Sequence, residues 1–135
     1  MVSQVQNKTQ NKNQVVLVDE TDQELGAADL FTAHQKPGKL HRAISVFVFR
    51  QRANQGDQVG GQESEVELLL QQRSKEKLAA AQTWANTVCG HVKLGESYQQ
   101  AAERRLQEEL GLDVSALSQF QPLINFSYQA TVSDE

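Results

Sequence analysis

Apolar residues along this chain fall in short bursts separated by polar stretches, and the period of each burst predicts an element. Val15-Val16-Leu17-Val18, closed by Asp19-Glu20-Thr21-Asp22, predicts a strand entering a turn. Asp29 to Leu40 contains Pro37-Gly38 and predicts a loop. Ala43-Ile44-Ser45-Val46-Phe47-Val48-Phe49 is β-branched and aromatic and predicts a buried strand. The polar run from Arg52 to Glu65, with Gly56, Gly60 and Gly61, predicts a long mobile connection to a returning strand at Glu67 to Arg73. Lys75 to Thr83 is Ala-rich but short and predicts a loop with a helical turn.

The strongest pattern lies further on. Ser97 stands three residues before Gln100, the spacing at which an N-cap hydroxyl and an N3 side chain satisfy each other's backbone N–H groups. Ala102, Leu106 and Leu110 then recur at i, i+4 and i+8, and Gly111 stands where a C′ glycine ends a helix. Together these predict a helix from Ser97 to Leu110 packed by that stripe. Phe120 to Tyr128 predicts a final strand, and no internal repeat is present. The pattern gives an α/β domain: a mixed β-sheet flanked by helices.

Composition narrows the class. A chain of 135 residues supports one domain, here expected over residues 14–135, and 39% hydrophobic and 22% charged residues suit a globular protein. Residues 1–13 are dominated by Gln, Asn and Lys and predict a disordered polar leader without the apolar run of a signal peptide. A net charge of -4 argues against a nucleic-acid or membrane-surface binder, while local cations still permit an anionic ligand. One cysteine excludes an intrachain disulfide and points to a cytoplasmic setting.

The candidate chemistry is concentrated between Trp84 and Leu112. Carboxylates one turn apart on a helix suit a hard cation that bridges phosphate oxygens, yet on composition alone Glu108 and Glu109 read more readily as a solvated face with an Arg105–Glu109 ion pair. Cys89 alone reads as a small hydrophobe; beside His91 and cations its thiol is a candidate acid/base group. Imidazoles suit divalent ions of the Zn or Mn type, but His34, His41 and His91 have no helical spacing that would bring them together.

Spacing tips the balance. Gly90, five residues, Glu96, seven residues, Arg104, one residue, Leu106, one residue, Glu108-Glu109, one residue and Gly111-Leu112 together resemble the signature of the Nudix superfamily. Arg105 departs from it, standing where the usual hydrolases carry a metal-binding glutamate. That arginine, the run Asn86-Thr87-Val88-Cys89-Gly90-His91, and the segments Ala33-His34 and Leu40-His41-Arg42-Ala43-Ile44-Ser45-Val46-Phe47 resemble the type I isopentenyl-diphosphate isomerases, a branch of that superfamily.

The resemblance, over roughly residues 15 to 130, implies interconversion of isopentenyl and dimethylallyl diphosphate by proton addition and removal. It implies Cys89 and Tyr128 as residues of the acid/base centre, and Arg73, Lys77, Trp84 and Arg105 around the substrate. It further implies Glu109 on a diphosphate-bridging Mg²⁺, and His34, His41 and His91 on a second divalent ion such as Mn²⁺ or Zn²⁺. The partner is then a small isoprenoid diphosphate. A Nudix-type diphosphate hydrolase and a non-catalytic binding domain are the alternatives.

Leu30 replaces the usual diphosphate-binding lysine, and the family's carboxylates beyond Tyr128 have no counterpart at Asp134 or Glu135. From this a fold incomplete at its C-terminal end is expected, with weakened isomerisation and self-association through an exposed sheet edge near Phe120 to Tyr128.

Overall fold

The computed structural model describes residues 13–52, 65–76 and 81–130. The polar leader up to residue 12, most of the Arg52–Glu65 connection, Lys77, Asp134 and Glu135 lie outside the described residues. The elements are β1 (Gln14–Val18), β2 (Glu24–Asp29), α1 (Leu30–His34), β3 (Ala43–Val46), β4 (Phe49–Arg52), β5 (Glu65–Leu68), β6 (Gln71–Gln72), β7 (Trp84–Ala85), β8 (Val88–His91) and α2 (Tyr98–Leu110), followed by a 3₁₀ turn at Val114–Ala116.

The α/β class holds, but the expected mixed sheet is, among the described residues, a set of two-stranded pieces: β1 with β2, β3 with β8, β4 with β5 and β6 with β7. The chain divides into two compact units, one formed by the residues up to Ile44 and from Cys89 onward, the other by Ser45–Val88.

In the first unit β1 and β2 form an antiparallel hairpin with Val15 opposite Ala28 and Leu17 opposite Gly26. Its turn is built by Asp19, whose Oδ1 accepts from the backbone N–H and the hydroxyl of Thr21 and from Gln23 N–H. Val16, Val18, Val92 and Ala101 are buried together, with Ile44 and Tyr98 packed on them.

The backbone ties this core with three hydrogen bonds in a closed triangle. Arg42 N–H donates to Val16 O at 2.9 Å, Val92 N–H to Arg42 O at 3.1 Å, and Val16 N–H to Val92 O at 3.3 Å. His41 and His91 each immediately precede a corner of that triangle.

Helix α2 follows its sequence signals closely. Ser97 is the N-cap and Gln100 completes the reciprocal capping box, while Gly111 ends the helix in the left-handed conformation (φ 62°) that only glycine adopts without cost. Leu106 is fully buried and Ala102 nearly so, with Ala101 added to the buried face and Leu110 half-buried.

In the second unit β4 pairs antiparallel with β5, Phe49 opposite Leu68 and Arg52 opposite Glu65, which gives the expected hairpin. The expected single strand Ala43–Phe49 is broken, however. Val48 N–H donates to the Thr87 hydroxyl at 2.9 Å, and that hydroxyl donates to Leu69 O at 2.5 Å. Asn86 takes the Ser45 hydroxyl and the Val46 carbonyl. Side chains thus capture backbone groups that a continuous ladder would have used, and Phe47 and Phe49 remain exposed. The returning strand divides in the same way, into β5 and the short β6 that pairs with β7.

Two further expectations change. The stretch Asp29 to Leu40 opens with α1, because the Asp29 carboxylate accepts from Phe31 N–H and caps a helical turn. Phe120 to Tyr128 forms no strand: Leu123, Ile124, Phe126 and Tyr128 are exposed, and β-propensity without a neighbouring ladder does not hold a strand.

Replacing Leu106 with Asp places a charge in a fully buried site without a partner and is expected to abolish the cooperative thermal transition. The exposed neighbour Gln107→Asp is the control, with a midpoint close to the parent. Calorimetry of the pair checks it.

Candidate metal and acid/base site

Three separate pieces of the first unit bring their imidazoles together. His34 ends α1, His41 lies in the link to β3, and His91 ends β8. Ring centroids are 4.8 Å apart for His34–His41, 5.3 Å for His34–His91 and 5.2 Å for His41–His91. One nitrogen from each ring lies within 4.8 Å of the others.

Local chemistry decides which nitrogen is free. His34 Nδ1 lies 2.7 Å from Leu30 O, and His41 Nδ1 lies 2.7 Å from Lys39 O. A carbonyl only accepts, so each Nδ1 carries a proton and Nε2 is the nitrogen left to bind a metal, the arrangement that orients metal-binding histidines. The His91 imidazole is pushed down to about 4, by burial first and then by the nearby His41, His34 and Arg105. It is therefore neutral at pH 7. This donor set fits a divalent ion of the Zn or Mn type.

Positions around the histidines are locally fixed. Ala33, next to His34, is buried, and its carbonyl accepts from Lys39 N–H. Gly38, at φ 83°, closes the turn between His34 and His41 with its N–H on Gln35 O at 2.7 Å. Arg104 donates through Nη2 to His91 O at 3.1 Å while Nε and Nη2 grip the two Glu96 oxygens at 2.6 and 3.0 Å. Glu96 Oε2 also accepts from Lys93 N–H. The link from Glu96 through Arg104 to His91 was not foreseen, although Glu96 and Arg104 both belong to the spaced signature that could have suggested it.

Cys89 is exposed and lies two residues before His91 on β8, so strand alternation places both on one face. Gly90 belongs to the opposite face. A Cβ there would sit 2.8 Å from Arg105 Nε and 2.9 Å from its Cγ, so glycine is what lets the arginine stem lie on the strand. Arg105 Nη1 pairs with Glu108 at 2.9 Å and Nη2 pairs with Glu109. Glu108 also meets Arg104 at 3.2 Å. Glu109 thus lies outside the three-histidine group and faces a guanidinium.

Tyr128 is 70% exposed, stacks beside Phe126 at 5.9 Å, and lines with Ser127, Gln129, Glu20 and Leu40 a shallow depression of about 470 Å³. Leu40 directly precedes His41. Arg73 and Trp84 belong to the second unit. Arg73 exchanges backbone hydrogen bonds with Gln82 and Thr83, and Trp84 is 67% exposed, which rules out a core role. Lys77 lies outside the described residues. Leu30 supplies its carbonyl to His34.

Gly90→Ala is expected to cost about 1–2 kcal/mol, because the new methyl must displace an arginine stem already engaged with two carboxylates. In an Arg105→Ala background the same change should cost much less; denaturant melts of the four proteins give the coupling.

Burial raises the Glu96 carboxyl, but the Arg104 and Lys93 hydrogen bonds outweigh this and hold it below the ordinary 4.5. A depressed carboxylate stabilises the fold above its unfolded value and loses that contribution as pH falls through its folded value. Glu96→Gln is therefore expected to flatten the loss of stability below about pH 4.5, measured as melting midpoint against pH.

Residues 39–134 match the NUDIX domain family. The chain is 40% identical over 118 residues to the isopentenyl-diphosphate Delta-isomerase of Serratia proteamaculans, covering 87% of this chain and 56% of that protein. It is 46% identical over 99 residues to the enzyme of that name from Pectobacterium atrosepticum, covering 73% and 48%, and 43% identical over 103 residues to that from Streptomyces avermitilis, covering 76% and 46%. The chain spans about half the length of the curated relatives it matches. On the family match, this chain belongs to the NUDIX family.

Proposed function

We propose that this chain carries the metal and acid/base centre of an isopentenyl-diphosphate Delta-isomerase. The observation that carries the reading is the three-histidine cluster with two anchored Nδ1 groups, two residues along the strand from Cys89. The relatives bearing that enzyme name support it. Residues 14–135 act in this reading as one NUDIX-like domain.

Moving the double bond requires a proton delivered to the terminal alkene carbon and another removed two carbons away, with no net redox change. In this reading Cys89 holds one of those protons, and Tyr128 belongs to the same acid/base centre. Trp84 forms an aromatic wall that excludes water from the cationic intermediate. Arg73, Lys77 and Arg105 hold the diphosphate, for which guanidinium forks are suited.

His34, His41 and His91 would hold a divalent ion such as Mn²⁺ or Zn²⁺, and Glu109 a Mg²⁺ on the diphosphate; bound there, the ions supply charge neutralisation and Lewis acidity. Binding of the diphosphate would draw Arg105 off Glu109, freeing that carboxylate for the cation. Arg105 also disfavours a hydrolase, because it stands where such an enzyme needs a further carboxylate, and it pairs the two carboxylates present.

Among the described residues no helix is long and apolar enough to cross a membrane. A cytoplasmic setting remains part of the proposal. So does association between copies, although Phe120 to Tyr128 offers no strand edge to carry it.

Incubation with isopentenyl diphosphate, Mg²⁺ and Mn²⁺ is expected to yield the dimethylallyl isomer without release of phosphate. Cys89→Ala should slow turnover by at least about 10²-fold, the scale of a lost acid/base group. Phosphate release without isomer would replace the reading with a hydrolase, and neither product would leave a non-catalytic binding domain.

A further inference from the structure

We propose that Arg42 is a positioning residue for the three-histidine site, holding His41 and His91 in place through a clamp on Asp22 and Tyr98. This rests on the reading of the histidines as ligands.

The clamp is built at one point of the fold. Arg42 Nε donates to Asp22 Oδ1 and Nη2 to Asp22 O, both at 2.8 Å. The Tyr98 hydroxyl donates to the same Oδ1 at 2.9 Å, and the guanidinium carbon stands 5.4 Å from the centre of the Tyr98 ring. A guanidinium makes this two-point grip on a carboxylate and a carbonyl in one plane while stacking on an aromatic face; an ammonium does not. Asp22 sits at φ 63°, in the left-handed region, so its carbonyl is presented by a turn that the clamp itself helps hold. The Arg42 side chain is only 19% exposed.

The same residue is a corner of the backbone triangle. Its N–H and C=O bind Val16 and Val92, the latter next to His91, while its chain neighbour is His41. Arg42 therefore ties together the β1–β2 turn, the first residue of α2 and the two histidine-bearing segments. A side chain that merely filled space would need neither the fork nor the phenol. Without the guanidinium the Arg42 backbone keeps its bonds to Val16 and Val92 but loses its tie to the β1–β2 turn and Tyr98, and the adjoining His41, whose Nδ1 is held by a carbonyl two residues away, loses that support.

The test uses metal-free protein labelled with ¹⁵N in its imidazoles, then a Co²⁺ titration of the same samples. In Arg42→Met the His41 and His91 ring signals are expected to shift. Co²⁺ affinity should fall about 10–100-fold, the range for lost outer-shell support. Arg42→Lys keeps the charge without the fork and should recover only part of both.

A folded Arg42→Met with parental ring signals and parental Co²⁺ affinity overturns the proposal. If Arg42→Met does not fold, Tyr98→Phe, which removes one hydroxyl, decides. Shifted ring signals in a cooperatively melting protein support the clamp, and unchanged ones overturn it. A parent that takes no Co²⁺ refutes the ligand reading instead, and the metal-free ring signals still decide whether Arg42 positions the imidazoles.

Discussion

Three backbone hydrogen bonds among Val16, Arg42 and Val92 are the constraint on which the rest of the site depends. Each corner comes from a different part of the sequence, and each satisfies polar groups that would be costly to leave unpaired beside the buried Val16 and Val92. The apolar core drives these segments together, while the triangle fixes their register. Register matters because side chains alternate along a strand, so a slip of one residue at either corner would turn a histidine away from its partners.

With the backbone fixed, the imidazoles are organised by small local interactions. Two carbonyls settle which nitrogen of His34 and His41 bears the proton, and burial keeps His91 neutral. Positive charge is kept on the helix side, where Arg104 and Arg105 meet Glu96, Glu108 and Glu109. The half-exposed pairs of Glu108 with Arg104 and Arg105 contribute little stability, typically under about 1 kcal/mol each. Their effect is to set orientation: Arg104 reaches the His91 carbonyl, and the Arg105 stem lies on Gly90.

What was legible in the sequence was local. The capping box at Ser97 and Gln100, the stripe through Ala102 and Leu106 and the stop at Gly111 lie within one helix, so α2 was readable to within a residue. The break in Ala43–Phe49 was not, because it is made by Thr87 and Asn86, some forty residues away. The Asp29 cap is hidden in the sequence by Pro37-Gly38, which give that stretch the character of a loop. Nothing in the spacing of His34, His41 and His91 predicts their meeting; the family resemblance supplied it, and the geometry brings the rings together. The motif from Leu40 to Phe47 assigns Arg42 no role, since only the fold brings Asp22 and Tyr98 to it.

X-ray absorption at the zinc edge, on protein loaded with one equivalent of Zn²⁺, reports the donor set directly. Three imidazole nitrogens at about 2.0–2.1 Å, with the outer-shell scattering of their rings, are the expected result. His41→Ala should reduce that number by one while the protein stays folded. A metal surrounded only by oxygen, or one whose spectrum ignores the loss of His41, would contradict a site formed by His34, His41 and His91.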